Sequence, residues 1–251
     1  MHRGLRAAEQ ALQRDSAIAD AWMARGFLYA FEYPRTFAGA REAFERALAL
    51  DPDNAEALHS YADVLLTLRD DSAAAAAYHR ALAIEPTRST TLDHLAILSY
   101  VQRRYYDARR WLDSAHAVDP GFVDAYGLGI LLHMTTGEVE EARRDAAARF
   151  RSPPSPSSPP WMLWRATLSR RGTAWTASSK AMENPAAPSP PEGFLVGWAL
   201  VVMSDTGRAF DVLERVRPRG AVLSFYLGFP EFDPLRATPR FQRMVEDARP
   251  K

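Results

Sequence analysis

One fixed interval constrains this chain more than any other feature of it. Pro52, Pro86, Pro120 and Pro154 follow one another at 34 residues, and the first three are embedded in like sequence: LALDPDNAEAL, LAIEPTRSTTL and HAVDPGFVDAY. The residues between the prolines keep phase. Leu58, Tyr61, Ala62, Leu65, Ala74, Tyr78 and Ala81 recur as Leu92, Leu95, Ala96, Ser99, Ala108, Leu112 and Ala115. They recur more loosely as Tyr126, Gly129, Ile130, His133, Ala142, Ala146 and Arg149. Upstream stand Trp22, Gly26, Tyr29, Ala40, Phe44 and Ala47, with two residues more between Trp22 and Pro52 than between Leu58 and Pro86. The excess falls in FEYPRTFAG, where added loop length costs little. A chain with this self-similarity is an array of like units, each burying its apolar face against the next.

Within a unit the spacing is helical. Apolar residues at i, i+3, i+4 and i+7, as in Leu58, Tyr61, Ala62 and Leu65, mark the buried stripe of a first helix. Alanines at Ala62, Ala74 and Ala81, and again at Ala96, Ala108 and Ala115, let helix backbones approach. Phe44, Tyr78 and Leu112 fill the space between neighbours, and the proline then stops the second helix, because it lacks an N–H and disfavours helix in the residue before it. Asp or Glu before each proline suits the turn and the next helix N-terminus.

From Ala19 to Pro154 the chain resembles the tetratricopeptide repeat family, whose pattern is W-x2-L-G-x2-Y, then A-x3-F, then Pro. The resemblance implies an all-α fold: a right-handed superhelix, or α-solenoid, of helix-turn-helix hairpins, with degenerate repeats at the C-terminal end. We expect four units at 19–54, 55–88, 89–122 and 123–152. Residues 1–18 read as the second helix of a partial repeat or as a cap, so the chain is expected to be the C-terminal part of a longer protein or to be capped imperfectly. A Pro/Ser linker (153–160), a degenerate repeat (161–182), a Pro-rich linker (183–192) and a degenerate repeat with C-terminal helices (193–251) follow. Thr238-Pro239 reads as the cap and first residue of a last helix reaching about Asp247. The tail at Phe232 to Arg236 and Pro239 to Phe241 resembles the closing segment of tetratricopeptide regions in bacterial multidomain signalling proteins.

Composition removes several function classes. The 31 basic residues balance the 31 acidic ones, which gives no general attraction to nucleic acid or an anionic membrane. With no cysteine there is no thiolate metal site, disulfide or cysteine nucleophile. The longest apolar stretch, Phe194 to Met203, is too short to span a bilayer, and MHRGLRAAEQ lacks the apolar core of a signal peptide. The expectation is a soluble, cytoplasmic protein. No phosphate-binding loop, dinucleotide fingerprint, nucleophile elbow, zinc-protease helix or calcium loop occurs in it.

The histidines are His2, His59, His79, His94, His116 and His133, and none is read as paired with another histidine or a carboxylate at metal-site spacing on an inward face. His59 and His94 could still meet on adjacent first helices. Asp70-Asp71 and Glu140-Glu141 suit helix N-termini, and Arg103-Arg104, Arg109-Arg110 and Arg143-Arg144 an outer, solvated surface. We therefore expect no catalytic, cofactor-binding or metal-binding residue.

The resemblance implies a concave surface lined by first helices. The positions that would line it are Asp20, Met23, Phe27 and Phe31, then Glu56, His59, Asp63 and Leu66, then Asp93, Ile97 and Tyr100, then Asp124, Leu131 and Met134. Such a groove is apolar with acidic edges, which suits a protein segment of basic or amphipathic character. It lacks the Lys/Asn/Arg set with which chaperone adaptors of the family hold a C-terminal carboxylate. The expected function is a non-catalytic protein-interaction scaffold with no nucleic-acid, membrane or small-molecule partner. The alternative is a constitutive structural subunit of an assembly with no peptide-recognition role. A further alternative has FYLGFPEF folding back to fill the groove.

Overall fold

The computed structural model describes residues 3–31, 36–149, 207, 210–211, 213–214 and 227–247. The expected linkers and the degenerate repeat at 161–182 lie outside the described residues, as does most of the repeat expected to begin at 193. The described part is all-α. Its helices are α1 (Arg3–Arg14), α2 (Ala19–Phe31), α3 (Phe37–Leu50), α4 (Ala55–Thr67), α5 (Asp71–Ile84), α6 (Ser89–Val101), α7 (Tyr105–Val118), α8 (Val123–Thr136), α9 (Val139–Arg149) and α10 (Pro239–Asp247), the last preceded by a 3₁₀ segment at Pro230–Leu235. The chain divides into two compact units, Met1–Phe122 and Val123–Arg249.

The first unit is a stack of hairpins. α2 packs on α3, α4 on α5 and α6 on α7, while α3 on α4 and α5 on α6 join successive hairpins. The small-against-large pairing read from the sequence is literal in the first hairpin. A Cβ built on Gly26 would stand 2.9 Å from the ring of Phe44, and Phe44 is fully buried. Ala62 with Tyr78, and Ala96 with Leu112, hold the corresponding places in the next two hairpins and are buried as well. Burying a side chain of this size stabilises by roughly 1.5–3 kcal/mol, so each hairpin depends heavily on one large residue.

The C-terminal helix ends repeat with the packing, whereas side-chain N-caps occur in the earlier copies and are missing at Arg88 and Arg104. Thr36, Asn54 and Asp70 cap α3, α4 and α5 by accepting from the backbone N–H of Gly39, Ala57 and Ala73. At the far ends the N–H of Asp51, Glu85 and Asp119 donates to the carbonyls of Ala47, Ala81 and Ala115, each one residue before the repeat proline. Inside the α4–α5, α6–α7 and α8–α9 hairpins the turn is left-handed. Arg69, Arg103 and Gly137 have φ of 65°, 60° and 81°, and they stand at the repeat interval. After each, the next N–H reaches back five residues: Asp70 to Leu65, Arg104 to Ser99, and Glu138 to His133. This is the Schellman closure, which favours glycine because a Cβ is strained there. Only the third copy has one.

The second unit contains α8 packed on α9, and the C-terminal elements. Gly129 on α8 leaves room for the Asp145 carboxylate, which a Cβ would overlap. In the tail, Phe232 stacks on Phe241 with centroids 6.0 Å apart. Arg236 donates to the carbonyls of Gly228 and Phe229 at 2.9 and 3.3 Å, and its guanidinium lies over the Phe241 ring. Thr238 accepts from the N–H of Phe241, capping α10 where the sequence placed the cap. Arg240 spans Asp211 and Glu214.

Two measurements follow from this packing. Gly26→Ala is expected to lower unfolding free energy by about 1–2 kcal/mol despite its better helix propensity, because the ring it meets has nowhere to go. In the Phe44→Leu background the same change is expected to cost less, since room has been made. Equal costs in both backgrounds, by urea titration, would show that the two residues do not share this space. Arg69→Gly is expected to raise stability by about 0.5–1 kcal/mol, strain relief exceeding the entropy that glycine adds to the unfolded chain. A loss of stability would contradict the strain assigned to that turn.

Candidate functional site

The first helices of the first unit, α2, α4 and α6, carry most of the expected groove. Allowing for the two extra residues before Pro52, the repeat aligns Asp20 with Glu56, Phe27 with Asp63 and Ile97, and Met23 with His59 and Asp93. The structure treats these registers differently. Asp20 and Glu56 are exposed; Phe27 is 49% exposed, and Asp63 and Ile97 are half-buried. Met23 is half-buried against the cluster of Ala30, Ala40, Phe44 and Val64, whereas His59 and Asp93 are buried. Leu66 and Tyr100, another pair one repeat apart, are buried too, and Tyr100 is fully so.

His59, Leu66, Asp93 and Tyr100 therefore do not line an accessible surface, contrary to the sequence expectation. The reason is helix phase. The stripe that packs each first helix is wider than the i, i+3, i+4, i+7 pattern, and α6 buries Thr91, Leu92, Asp93, Leu95, Ala96, Leu98, Ser99, Tyr100 and Val101. Tyr100 meets Tyr105 across its own hairpin turn, with centroids 5.7 Å apart. The side chains of Phe31 and Met134 lie outside what the structure describes. In the second unit Asp124 is exposed and Leu131 half-buried. Phe225 and Tyr226 of the expected fold-back segment are not among the described residues.

The buried register produces a polar cluster. His59 and Asp63 are one turn apart on α4, so they share a face. The ring of His94 on α6 comes to 4.9 Å, centroid to centroid, from that of His59. His94 Nδ1 lies 2.6 Å from Asp63 Oδ1, and His59 Nε2 lies 3.7 Å from Asp63 Oδ2. Tyr78 of α5 donates its hydroxyl to Asp63 Oδ1 at 2.6 Å and stands 3.3 Å from His94 Nδ1. Thr91 Oγ1 holds His59 Nδ1 at 2.9 Å. Three helices thus meet on one carboxylate.

Electrostatics follow the geometry. Burial pushes the Asp63 carboxyl up, but the His94 and His59 rings and the Tyr78 hydroxyl outweigh it and hold the group below its ordinary value. Burial holds His59 below the usual imidazole range, against the pull of Asp63. Tyr78 keeps its proton well above the usual phenol range, through burial and then through Asp63 beside it. At the edge, Arg88 bridges Glu56 and Glu85.

The sequence had brought His59 toward His94 but had found no carboxylate partner at helix spacing. Asp63, four residues after His59, is that partner. The available signal was His59-x-x-x-Asp63 with His94 one repeat and one residue beyond His59. Thr91 and Tyr78 carried no comparable mark, since Tyr78 reads as a packing residue.

Residues 33–89 match the sequence profile of the tetratricopeptide repeat family, a span that takes in α3, α4 and α5. That segment carries tetratricopeptide repeat sequence. The fold is similar to that of a tetratricopeptide repeat protein from Parabacteroides merdae, at 14% identity and a TM-score of 0.63, over 96% of this chain and 90% of that one. It is similar to pilF of Pseudomonas aeruginosa at 18% identity and a TM-score of 0.54, over 93% and 99% of the two chains. MamA from Desulfovibrio magneticus matches at 16% identity and a TM-score of 0.52, over 59% of this chain and 82% of its own. At these identities the likeness is one of fold. No curated protein matches the chain in sequence. In this tetratricopeptide array the polar cluster occupies the seam between the first helices of two successive hairpins.

If that cluster is knit as the distances indicate, Tyr78→Phe leaves Asp63 short of a buried donor and is expected to cost about 1–3 kcal/mol. Tyr61→Phe, whose hydroxyl bonds Glu45 at an exposed site, is expected to cost under about 1 kcal/mol. Parallel thermal melts compare them, and equal losses would contradict a special role for the inner network.

Proposed function

We propose that the chain is a non-catalytic docking scaffold that seats a partner polypeptide along α2, α4 and α6. The observation that carries this reading is the accessible register Phe27, Asp63 and Ile97, flanked by Asp20 and Glu56. Among the described side chains of α2, α4 and α6, Phe27 and Ile97 share a register and present apolar surface within reach of solvent. Phe27, at about half exposure, is a large aromatic anchor of the kind that dominates recognition surfaces. The acidic residues at the rim favour a segment carrying Lys or Arg beside spaced apolar side chains, and they steer its approach.

The tetratricopeptide fold supports a protein-binding role in general, and its partner's character comes from this chain's own surface. By the resemblance of the tail F-D-P-L-R-x-x-P-R-F, the proposal extends to a docking region of a bacterial signalling protein acting in the cytoplasm. Among the described residues no helix is long and apolar enough to cross a membrane.

Selection of linear peptides from a display library, followed by anisotropy titration of the winners, tests the reading. Winners are expected to combine basic and spaced apolar residues and to weaken as salt rises. Phe27→Glu with Ile97→Glu is expected to weaken them about tenfold or more, an effect of about 1.4 kcal/mol, while leaving the thermal melt in place. Winners that bind the double variant as they bind the parent would remove this face from consideration.

A further inference from the structure

We propose that His59, Asp63 and His94 form a binding site for one transition-metal dication of the zinc class, clamped between α4 and α6. Each of the three offers a ligand atom, and these atoms all lie within 4.8 Å of one another. A tetrahedral ion with bonds near 2.1 Å sets its ligand atoms about 3.4 Å apart. His59 Nε2 stands 3.7 Å from Asp63 Oδ2 and His94 Nδ1 2.6 Å from Asp63 Oδ1, either side of that spacing, so side-chain rotation can bring the three residues to a coordination triangle.

The supporting residues are those a metal site requires. A ligating histidine is held by a hydrogen bond at its other nitrogen, and its carboxylate neighbour is held in turn. Here His59 Nδ1 is engaged by Thr91 Oγ1 at 2.9 Å; with the proton on Nδ1, the lone pair of Nε2 faces Asp63. The Tyr78 hydroxyl fixes the Asp63 carboxylate at 2.6 Å. Thr91 and Tyr78 are both completely buried, so neither can swing away. The His94 side chain is 32% exposed, which provides the path for entry.

Ligand chemistry narrows the ion. Two imidazoles and one carboxylate suit zinc and its late first-row neighbours, whereas calcium and magnesium take six or more oxygens. Three protein ligands leave a fourth position for water. The consequence is mechanical: an ion held by α4 and α6 ties together two successive hairpins through their first helices. The site does not rest on the docking proposal: it needs only His59, Asp63 and His94, whose contacts with one another do not involve Phe27 or Ile97.

The test uses the untagged full chain at neutral pH, titrated with zinc chloride in competition with a chromophoric chelator, and separately with cobalt(II). One equivalent of zinc is expected to bind. His94→Gln is expected to weaken it by about tenfold or more, and Thr91→Val, which leaves all three ligands in place, by roughly tenfold to a hundredfold. Cobalt(II) in the parent protein is expected to show the intense visible bands of a four-coordinate ion. A parent protein that takes up no zinc, or a folded His94→Gln variant that binds as the parent does, overturns the proposal. Should His94→Gln not fold, the cobalt spectrum of the parent decides, and the weak bands of a six-coordinate ion overturn it.

Discussion

The structure depends on the pairing of a small residue on each first helix with a large one on the second helix of the same hairpin. Gly26 beneath Phe44 shows it in its tightest form, with less than a methyl group's clearance. That closeness sets the distance between the two helices and so fixes which residues of each are turned inward. The next hairpin inherits the arrangement because Ala62 and Tyr78, then Ala96 and Leu112, occupy the same places. A period of 34 residues is the trace in sequence of one packing solution used repeatedly.

Fixing the phase has a cost at the seam between hairpins. The register that contains Met23 in the first copy contains His59 and Asp93 in the next two, and there it is buried. Polar groups in such a place must be satisfied or they destabilise by more than a surface group would. Asp63 Oδ1 meets the Tyr78 hydroxyl and His94 Nδ1, both at 2.6 Å, while His59 Nε2 stands 3.7 Å from Oδ2. Positions one repeat away from His59, Asp63 and His94 hold Asp93, Ile97 and Leu128, so the network is a departure from the repeat and not a product of it. Bonded departures of this kind are where a repeat protein is individual.

This explains what could be read from the sequence. Prolines, small residues and large residues gave the helix pairs, because packing imposes them in every copy. The cap at Thr238 could be read because a polar cap followed by proline has one local meaning. Helix phase to within one position could not. Whether His59 or Leu66 faces solvent depends on about a third of a turn, and the apolar stripe alone does not resolve that when α6 buries residues on nearly every side. Nor could the whole cluster: His59 and Asp63 stand one helix turn apart, but His94 falls one residue off the repeat interval from His59, and Tyr78 of α5 reads as a packing residue. The left-handed turns at Arg69 and Arg103 were equally hidden, because the residue type there is unlike the glycine of the third copy.

The two properties assigned to α2, α4 and α6 meet at Asp63. By register it belongs to the accessible row with Phe27 and Ile97, yet both of its oxygens are turned toward the seam. Its charge is therefore answered inside the protein and contributes little to the acidic rim. Glu56 is partly answered as well, by Arg88, which it shares with Glu85. The negative potential offered to a partner is thus concentrated toward Asp20 at one end of the row, beside the exposed face of Phe27. A basic segment would be drawn first to that end and would then extend over α4 toward Ile97, where the surface is apolar. On the docking proposal, the inward turn of Asp63 separates the work of holding two hairpins together from the work of meeting another chain.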